Sequence, residues 1–254
     1  MRKKIFVFIL FWLAIGVFFG VSAVEKRKTI FLVSPLFGSL NTDLQTLSES
    51  GTLYGLNMLY ASPSLIIGSL GHYSKLNYST ENGYLIHMTY YFRDDKPVQP
   101  MLSFSADYIS IFTKLDGAAA APFNFLNADT SVWAFHPFAG LSFKLGEQRL
   151  TPFVGYFKEQ VTTALASSGF SSANFVELNY ITAGAKLDLR FAHFIRFSTK
   201  FYWRYKNGEQ PLLSARNQLD LLFSPQAGIS MKYDYFDDKY EKNTLALIGP
   251  TFIF

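Results

Sequence analysis

The chain has 254 residues, with 23 Lys and Arg against 19 Asp and Glu, no Cys, and 18% aromatic residues. The formal net charge of +4 depends on its first residues. Without Arg2, Lys3 and Lys4, 20 basic residues stand against 19 acidic ones. A nearly neutral remainder gives no support for nucleic-acid binding, and the lack of Cys excludes a disulfide framework.

The first residues are typical of an export signal. Arg2, Lys3 and Lys4 form a basic start, Ile5 to Val21 is apolar, and Val21-Ser22-Ala23 has the small residues of a cleavage site. This order predicts a secretory signal peptide over residues 1–23 and an exported domain over residues 24–254. Because the apolar run is slightly long, an uncleaved anchor is the alternative.

Beyond residue 23, alternation of apolar and polar residues predicts strands, and no further apolar run of about eighteen residues could form a membrane helix. The clearest case is Phe194 to Lys206, in which aromatic and aliphatic residues alternate with Arg196, Ser198, Lys200 and Arg204. The same period of two recurs in Tyr54 to Tyr60, Ile66 to Tyr78, Tyr84 to Phe92, Leu102 to Phe112, Trp133 to Leu145, Phe153 to Val161, Tyr180 to Phe191, Gln218 to Phe223 and Ala227 to Tyr235. We therefore expect an all-β chain.

The connections alternate between short and long. Short turns are predicted at residues 61–64, 93–98, 146–150, 192–193 and 224–225. Longer loops are predicted at residues 39–51, 115–131, 166–176, 207–215 and 237–243, with a tight one at 79–83. This spacing predicts about twelve strands with both termini on one side, although ten or fourteen are also compatible with it.

The segment from Leu245 to Phe254 resembles the C-terminal insertion signal of bacterial outer-membrane β-barrel proteins. Gly249, Phe252 and Phe254 match that signal, whereas Leu247 stands where a polar residue is usual. The resemblance implies an antiparallel up-and-down β-barrel in the bacterial outer membrane, with lipid and the barrel-insertion machinery as partners. Aromatic residues would then supply the girdles of the barrel.

The polar face of the C-terminal strands suggests a function. It carries an excess of basic residues, and we expect the following side chains to face the lumen: Lys186, Asp188, Arg190, Arg196, Lys200, Arg204 and Lys232, with Lys144 and Lys158 also on this face. A wall of one charge sign concentrates ions of the other sign. The sequence therefore predicts a passive channel for small, anionic solutes that uses no cofactor. In architecture it resembles small monomeric channels of Gram-negative outer membranes that pass acidic sugars or nucleosides.

Two alternatives remain open. The lumen charges could form a ladder that fills a structural or surface-interaction barrel. His72 and Ser74 could form the His-x-Ser pair found in outer-membrane phospholipases and lipid A deacylases, which the sequence resembles at these positions. In those families a third group orients the His about a dozen residues later, and here that position falls near Ile86, which has no polar group. We therefore expect no enzyme activity. The remaining His residues lack metal-ligand spacing.

Overall fold

The computed structural model describes residues 29–44, 47–92, 96–116, 125–191, 194–237 and 241–254. The predicted signal peptide (residues 1–23) and the predicted turn at 192–193 lie outside these residues. Within the described ranges there is no helix with the length and hydropathy needed to cross a membrane.

The described residues form twelve strands that close into one antiparallel barrel. Each strand pairs with the next, and β1 pairs with β12 to close the ring. The prediction of an all-β barrel of about twelve strands is confirmed. The strands are β1 (Ile30–Leu44), β2 (Leu47–Ala61), β3 (Leu65–Lys75), β4 (Ser79–Tyr91), β5 (Val98–Asp116), β6 (Phe125–Leu145), β7 (Gln148–Ser167), β8 (Phe170–Phe191), β9 (Ile195–Tyr205), β10 (Leu212–Leu222), β11 (Ala227–Asp237) and β12 (Glu241–Ile253).

Two rims bound the barrel. The terminal rim contains Ile30 and Phe254 and the connections β2–β3, β4–β5, β6–β7, β8–β9 and β10–β11. The loop rim is the opposite end. Among the described connections, the turns predicted near residues 62, 96, 146 and 224 lie at the terminal rim, between strands as expected.

Several predicted loops at the loop rim are wrong. Residues 39–44 and 47–51 belong to β1 and β2, which pair as far as Leu44 and Leu47. Residues 79–83 begin β4, and most of residues 166–176 continue β7 and β8 across a two-residue turn in which Gly169 has a φ of 90°. The predicted loop at 115–131 is also too long, because β5 runs to Asp116 and β6 begins at Phe125. These segments are rich in Ser, Thr, Asn and Gly. Outside the apolar belt both faces of a strand can be polar, so the alternation of apolar and polar residues that identifies a strand is absent.

The outer face of the barrel carries an apolar belt. Its middle holds aliphatic residues such as Val154 and Ile86, which are 64% and 56% exposed. Aromatic side chains border it on both sides. Those toward the loop rim are Tyr54, Tyr84, Trp133, Tyr156 and Tyr205, and those toward the terminal rim are Tyr60, Tyr90, Phe143, Phe191, Phe223 and Phe252. An exposed belt between two aromatic girdles is the surface expected of a barrel in hydrocarbon.

The belt ends toward the loop rim at a polar network on the outer face of β7 and β8. Lys158 forms a 3.0 Å ion pair with Glu177, which also accepts hydrogen bonds from Gln160 and Asn179. Hydrogen bonds from Gln160, Lys158 and Asn179 lower the pKa of Glu177 to about 2. The prediction that Lys158 faces the lumen is wrong, because it shares the outer face with Tyr156. β7 and β8 continue past this network and project beyond the belt.

The inner face differs between the two halves of the ring. In the N-terminal half it combines buried polar residues, such as Asn57 and Ser74, with a cluster of buried leucines from β1, β2, β3, the β3–β4 turn and β12: Leu36, Leu40, Leu53, Leu70, Leu76 and Leu247. In the C-terminal half it carries charged and aromatic side chains. Period-two alternation is weak in the first half because several inward residues of its strands are leucines, as apolar as the outward ones.

The seam between β1 and β12 is tightly packed. Its register places Pro35 opposite Pro250, so neither residue can donate a backbone hydrogen bond there. A Cβ on Gly249 would lie 1.9 Å from the carbonyl oxygen of Pro35. Ser34 and Thr251 join the strands through a 2.7 Å hydroxyl hydrogen bond, and Phe254 exchanges backbone hydrogen bonds with Phe31. Phe252 and Phe254 are exposed. Gly249 thus allows the close approach of β1 and β12 at the seam, whatever its role as an insertion signal.

We expect Gly249→Ala to lower the free energy of unfolding by about 1–3 kcal/mol, since the added methyl group meets backbone that cannot move away. The measurement is the folded fraction in urea, followed by the altered electrophoretic mobility of the folded barrel. Gly71→Ala is the matched control, because its Cβ would find only ordinary contacts at 3.6 Å or more. Equal stability of the two variants would contradict the tight seam.

Candidate functional site in the barrel lumen

The most unusual feature of the lumen is a set of like charges on neighbouring strands. Lys186 of β8 lies directly opposite Lys200 of β9, and Arg190 lies opposite Arg196. We call these four residues the basic ladder. Directly opposed like charges destabilise a sheet, so local packing does not account for this arrangement. It is the candidate functional site.

Two carboxylates partly balance the ladder. Asp188 forms a 3.0 Å ion pair with Lys186 and accepts a 2.7 Å hydrogen bond from Ser198. Asp220 lies opposite Arg196 in the register and accepts hydrogen bonds from Ser230 and Gln218. Within the described part of the chain, Lys200 has no carboxylate at ion-pair distance. Of the four ladder residues, Lys186 alone forms an ion pair within the described residues.

Lys200 instead lies among aromatic rings. Its Nζ is 3.9 Å from the ring centroid of Phe138 and 5.0 Å from that of Tyr202, and it approaches Nδ1 of His136 at 3.4 Å. Cation–π contacts of this kind stabilise a desolvated ammonium group. The rings belong to a buried cluster that extends across strands β4 to β7 and β9: Tyr91, Met101, Phe138, Phe153 and Tyr202.

Glycine makes room for this aromatic cluster. A Cβ on Gly155 would lie 2.5 Å from the Cβ of Phe138, and one on Gly184 would lie 2.6 Å from the Cβ of Tyr202. Large and small residues thus alternate on neighbouring strands, as in the interiors of small barrels. The cluster narrows the lumen beside the basic ladder.

A salt bridge crosses the lumen. Arg216 of β10, opposite Lys200 in the register, bonds Asp107 of β5 at 2.9 Å and approaches Asp234 at 3.9 Å. β5 and β10 are five strands apart in a ring of twelve, so they stand nearly opposite each other. Both side chains keep some solvent contact, at 30% exposure for Arg216 and 19% for Asp107. The bridge therefore lies across the route through the barrel.

The other basic residues predicted to face the lumen have different surroundings. Arg204 has 0% exposure, and its guanidinium lies 3.9 Å from the ring centroid of Phe236 and donates to the carbonyl of Asp237. It is inward but does not reach solvent. Lys232 donates a 2.6 Å hydrogen bond to Asn57 of β2, across the β1–β12 seam. Neither residue belongs to the ladder.

Acidic side chains are found on the inner face toward the loop rim. Glu49 accepts a hydrogen bond from Ser79, and Glu159 is likewise buried on the inner face of β7. The basic ladder lies toward the terminal rim, where β8 ends and β9 begins. Apart from the buried Arg204 near the end of β9, the inner face is therefore more acidic toward the loop rim and more basic toward the terminal rim.

His72 and Ser74 both face the lumen, but the structure does not bring them together as a nucleophile and base. Nε2 of His72 lies 2.7 Å from Oε1 of Glu81, which the sequence analysis placed in a loop and which belongs to β4. Among the described residues, the buried Oγ of Ser74 has no hydrogen-bond partner. Ile86, the position expected for a third member, is exposed on the outer face.

The sequence did not point to Arg216 or Asp107, and Glu81 was predicted in a loop. Arg216 falls between the predicted loop at 207–215 and the predicted strand from Gln218, although β10 begins at Leu212. Asp107 stands in a strand whose alternation is imperfect. No local pattern could pair it with a residue 109 positions away, because that contact depends on closure of the ring. Within the described ranges, no cluster of His, Asp or Glu could hold a metal ion.

We expect Asp107→Ala to destabilise the barrel by about 1–3 kcal/mol, because it leaves Arg216 partly desolvated without its main partner. The control is Asp116→Ala, which breaks the ion pair with Lys114 on the outer face, where the side chains are 57% and 60% exposed. That change should cost no more than about 0.5 kcal/mol. Urea unfolding in detergent compares the free energies of unfolding of the two variants. Equal decreases would show that the cross-lumen bridge stabilises the barrel no more than an exposed ion pair does.

Comparison with known proteins bears on the fold. No protein-family model matches the sequence, and no curated protein matches it. Among solved structures, the chain is similar to the translocator domain of the autotransporter NalP from Neisseria meningitidis. The TM-score is 0.56 with 11% identity, over 99% of this chain and 97% of the other. The β-domain of the Bordetella autotransporter BrkA gives a TM-score of 0.48 with 12% identity over 89% and 99% of the two chains. The NanC porin gives 0.47 with 9% identity over 88% and 98%.

At such low identity these similarities concern the fold alone. The chain is a twelve-stranded closed antiparallel β-barrel, and its structural neighbours are outer-membrane barrels.

Proposed function

We propose that this protein is an outer-membrane β-barrel that acts as a narrow diffusion channel for small anionic solutes. The basic ladder is the observation that carries the proposal. Opposed like charges cost stability, so their presence on a lumen wall favours a role in attracting a ligand of the opposite charge. The apolar belt and the two aromatic girdles support a place in the membrane.

The ladder supplies the preference for anions. Lys186, Arg190, Arg196 and Lys200 lie on adjacent strands and face one space, with Asp188 and Asp220 as the nearest carboxylates. In a lumen with low-dielectric walls, an excess of one charge sign raises the local concentration of the opposite ion. Small carboxylates and inorganic anions fit this chemistry.

The aromatic cluster and the Arg216–Asp107 bridge set the size limit. These side chains occupy part of the space that a twelve-stranded barrel encloses, so the open cross-section of the lumen is smaller than the barrel wall alone would give. Solutes must pass beside these side chains or displace them. We therefore expect a small conductance.

The axial separation of acidic and basic residues should also affect how the current through the channel depends on voltage. Fixed charges of opposite sign at the two ends of a pore make its current depend on the direction of the applied voltage. We expect the channel to rectify, with the terminal rim as its anion-accumulating end.

The double variant Arg190→Glu and Arg196→Glu should convert anion preference into cation preference and weaken or reverse rectification, because it replaces two positive charges of the ladder with negative ones. Reversal potentials in a salt gradient measure this. Lys114→Glu, on the outer face, is the matched control and should leave selectivity unchanged. An unaltered reversal potential in a folded double variant would show that the ladder does not select ions.

We also propose that the protein is not a lipid esterase. His72 is bonded to Glu81 and not to Ser74, and both side chains face the lumen, away from the apolar belt that acyl chains would contact. We expect chromogenic acyl esters to be hydrolysed no faster by the refolded protein than by its Ser74→Ala variant. Hydrolysis that Ser74→Ala abolishes would contradict this proposal and identify Ser74 as a nucleophile.

A further inference from the structure

β8 extends well beyond its neighbour β9. The first pair between them is Ile181 with Tyr205, whereas β8 begins at Phe170. Phe170–Asn179 therefore pairs with β7 on one side and, among the described strands, with none on the other. We call this segment the free edge. Ten residues of strand extend roughly 33 Å, so the edge projects from the loop rim.

The register shows which backbone groups the free edge presents. Near the other end of β8, the side-chain amide of Gln148 donates to the carbonyl of Arg190 and accepts from its N–H, so the backbone groups of Arg190 face β7. The β7–β8 register runs without interruption from Arg149 and Asp188 to Ser167 and Phe170. In an antiparallel ladder, alternate residues turn their backbone groups to alternate sides. Even-numbered residues of β8 thus bond to β7, and odd-numbered ones, such as Ala173 and Phe175, present theirs to the free side.

From residue 170 to residue 176, the free edge lacks the features with which proteins protect such strands. Residues 160–176 contain no charged residue and no Pro, and all side chains from residue 170 to residue 177 are exposed, with Phe175 at 60%. Exposed edges are usually blunted by Lys, Pro or bulges. The free edge is also rigidly supported, because the Ser168-Gly169 turn and the outer-face network around Glu177 hold the hairpin. It is an ordered strand and not a frayed tip.

We propose that the free edge binds an extended, uncharged segment of a partner protein on the loop side of the membrane, as an added β-strand. An edge with unpaired backbone donors and acceptors recognises another extended backbone. The neutral stretch from residue 160 to residue 176 favours a partner segment without charges, since a charged one would lose solvation and find no counter-charge there.

A second copy of this chain is a less suitable occupant. Edge-to-edge pairing about a two-fold axis brings antiparallel strands together. Two copies inserted in one membrane have the same orientation, so their β8 strands run in the same sense relative to the membrane. The free edges of two copies could therefore meet only as parallel strands, which pair less stably than antiparallel ones.

The test uses the refolded full chain in detergent and a labelled, end-blocked peptide with the sequence of Gln160–Ser167. That peptide is uncharged, and its residues already pair with the other edge of the same strand. We expect it to bind, and a peptide with lysine at two positions to bind at least about tenfold more weakly. Ala173→Pro removes a free-side N–H and should weaken binding at least about tenfold, whereas Ala173→Thr keeps that N–H and should change it less than about twofold.

Hydrogen exchange distinguishes the occupants. In the free protein, the amides of Ala173 and Phe175 should exchange quickly while that of Asn174 is protected, and peptide should slow the exchange of the first two. Three results would overturn the proposal. The first is that these two amides are already protected in the monomer, and the second is equal binding by folded Ala173→Pro. The third is protection that appears without peptide and rises with protein concentration, which would assign the edge to a second copy.

Discussion

Closure of β1 against β12 is the constraint on which the rest of the structure depends. A strand at an open edge leaves backbone donors and acceptors unpaired, and in hydrocarbon each such group costs several kcal/mol. The seam carries two opposed prolines and still closes, because Gly249 lets the strands approach and the hydroxyls of Ser34 and Thr251 bond across it. Once the ring is closed, each strand has one face turned to the apolar belt and one to the lumen.

That division determines where charge can be placed. The outer face holds its charged groups beyond the belt, as in the Lys158–Glu177 pair, so most of the remaining charges are placed inside. Inside, carboxylates and cations could have alternated around the ring. Instead the cations gather on β8 and β9, and Arg216 reaches across the ring to Asp107. The lumen is thus narrowed by its side chains and uneven in charge. The uneven charge is the basis for the proposed preference for anions, and the narrow lumen limits the size of the solutes that could pass.

The sequence predicted the fold well where alternation is strong. Ile195 to Tyr205 alternates over its whole length because its outer residues meet hydrocarbon and its inner ones carry charge. Where that contrast fades the prediction failed. Phe170 to Val176 projects past the belt and was predicted as part of a loop. Leu36 and Leu53 line the lumen with apolar groups, so their strands show no clear alternation.

The candidate site was predicted in part. The four ladder residues follow from strand periodicity, because side chains two apart share a face. Their opposition across β8 and β9 depends on register, which a short turn between two strands sets and which composition does not reveal. The Arg216–Asp107 bridge depends on which strands face each other across the ring. The His72–Glu81 pair depends on the start of β4 at Ser79, within a segment predicted as a loop. No local sequence pattern indicates either contact.

The central claim is that the lumen conducts and that the basic ladder gives it a preference for anions. The most direct measurement is the single-channel current of the refolded protein in a planar bilayer with a salt gradient. We predict a small, discrete, rectifying conductance whose reversal potential favours anions. A folded barrel that inserts into the bilayer and carries no current would contradict the account, and would indicate that the aromatic cluster and the cross-lumen bridge close the lumen as a structural core.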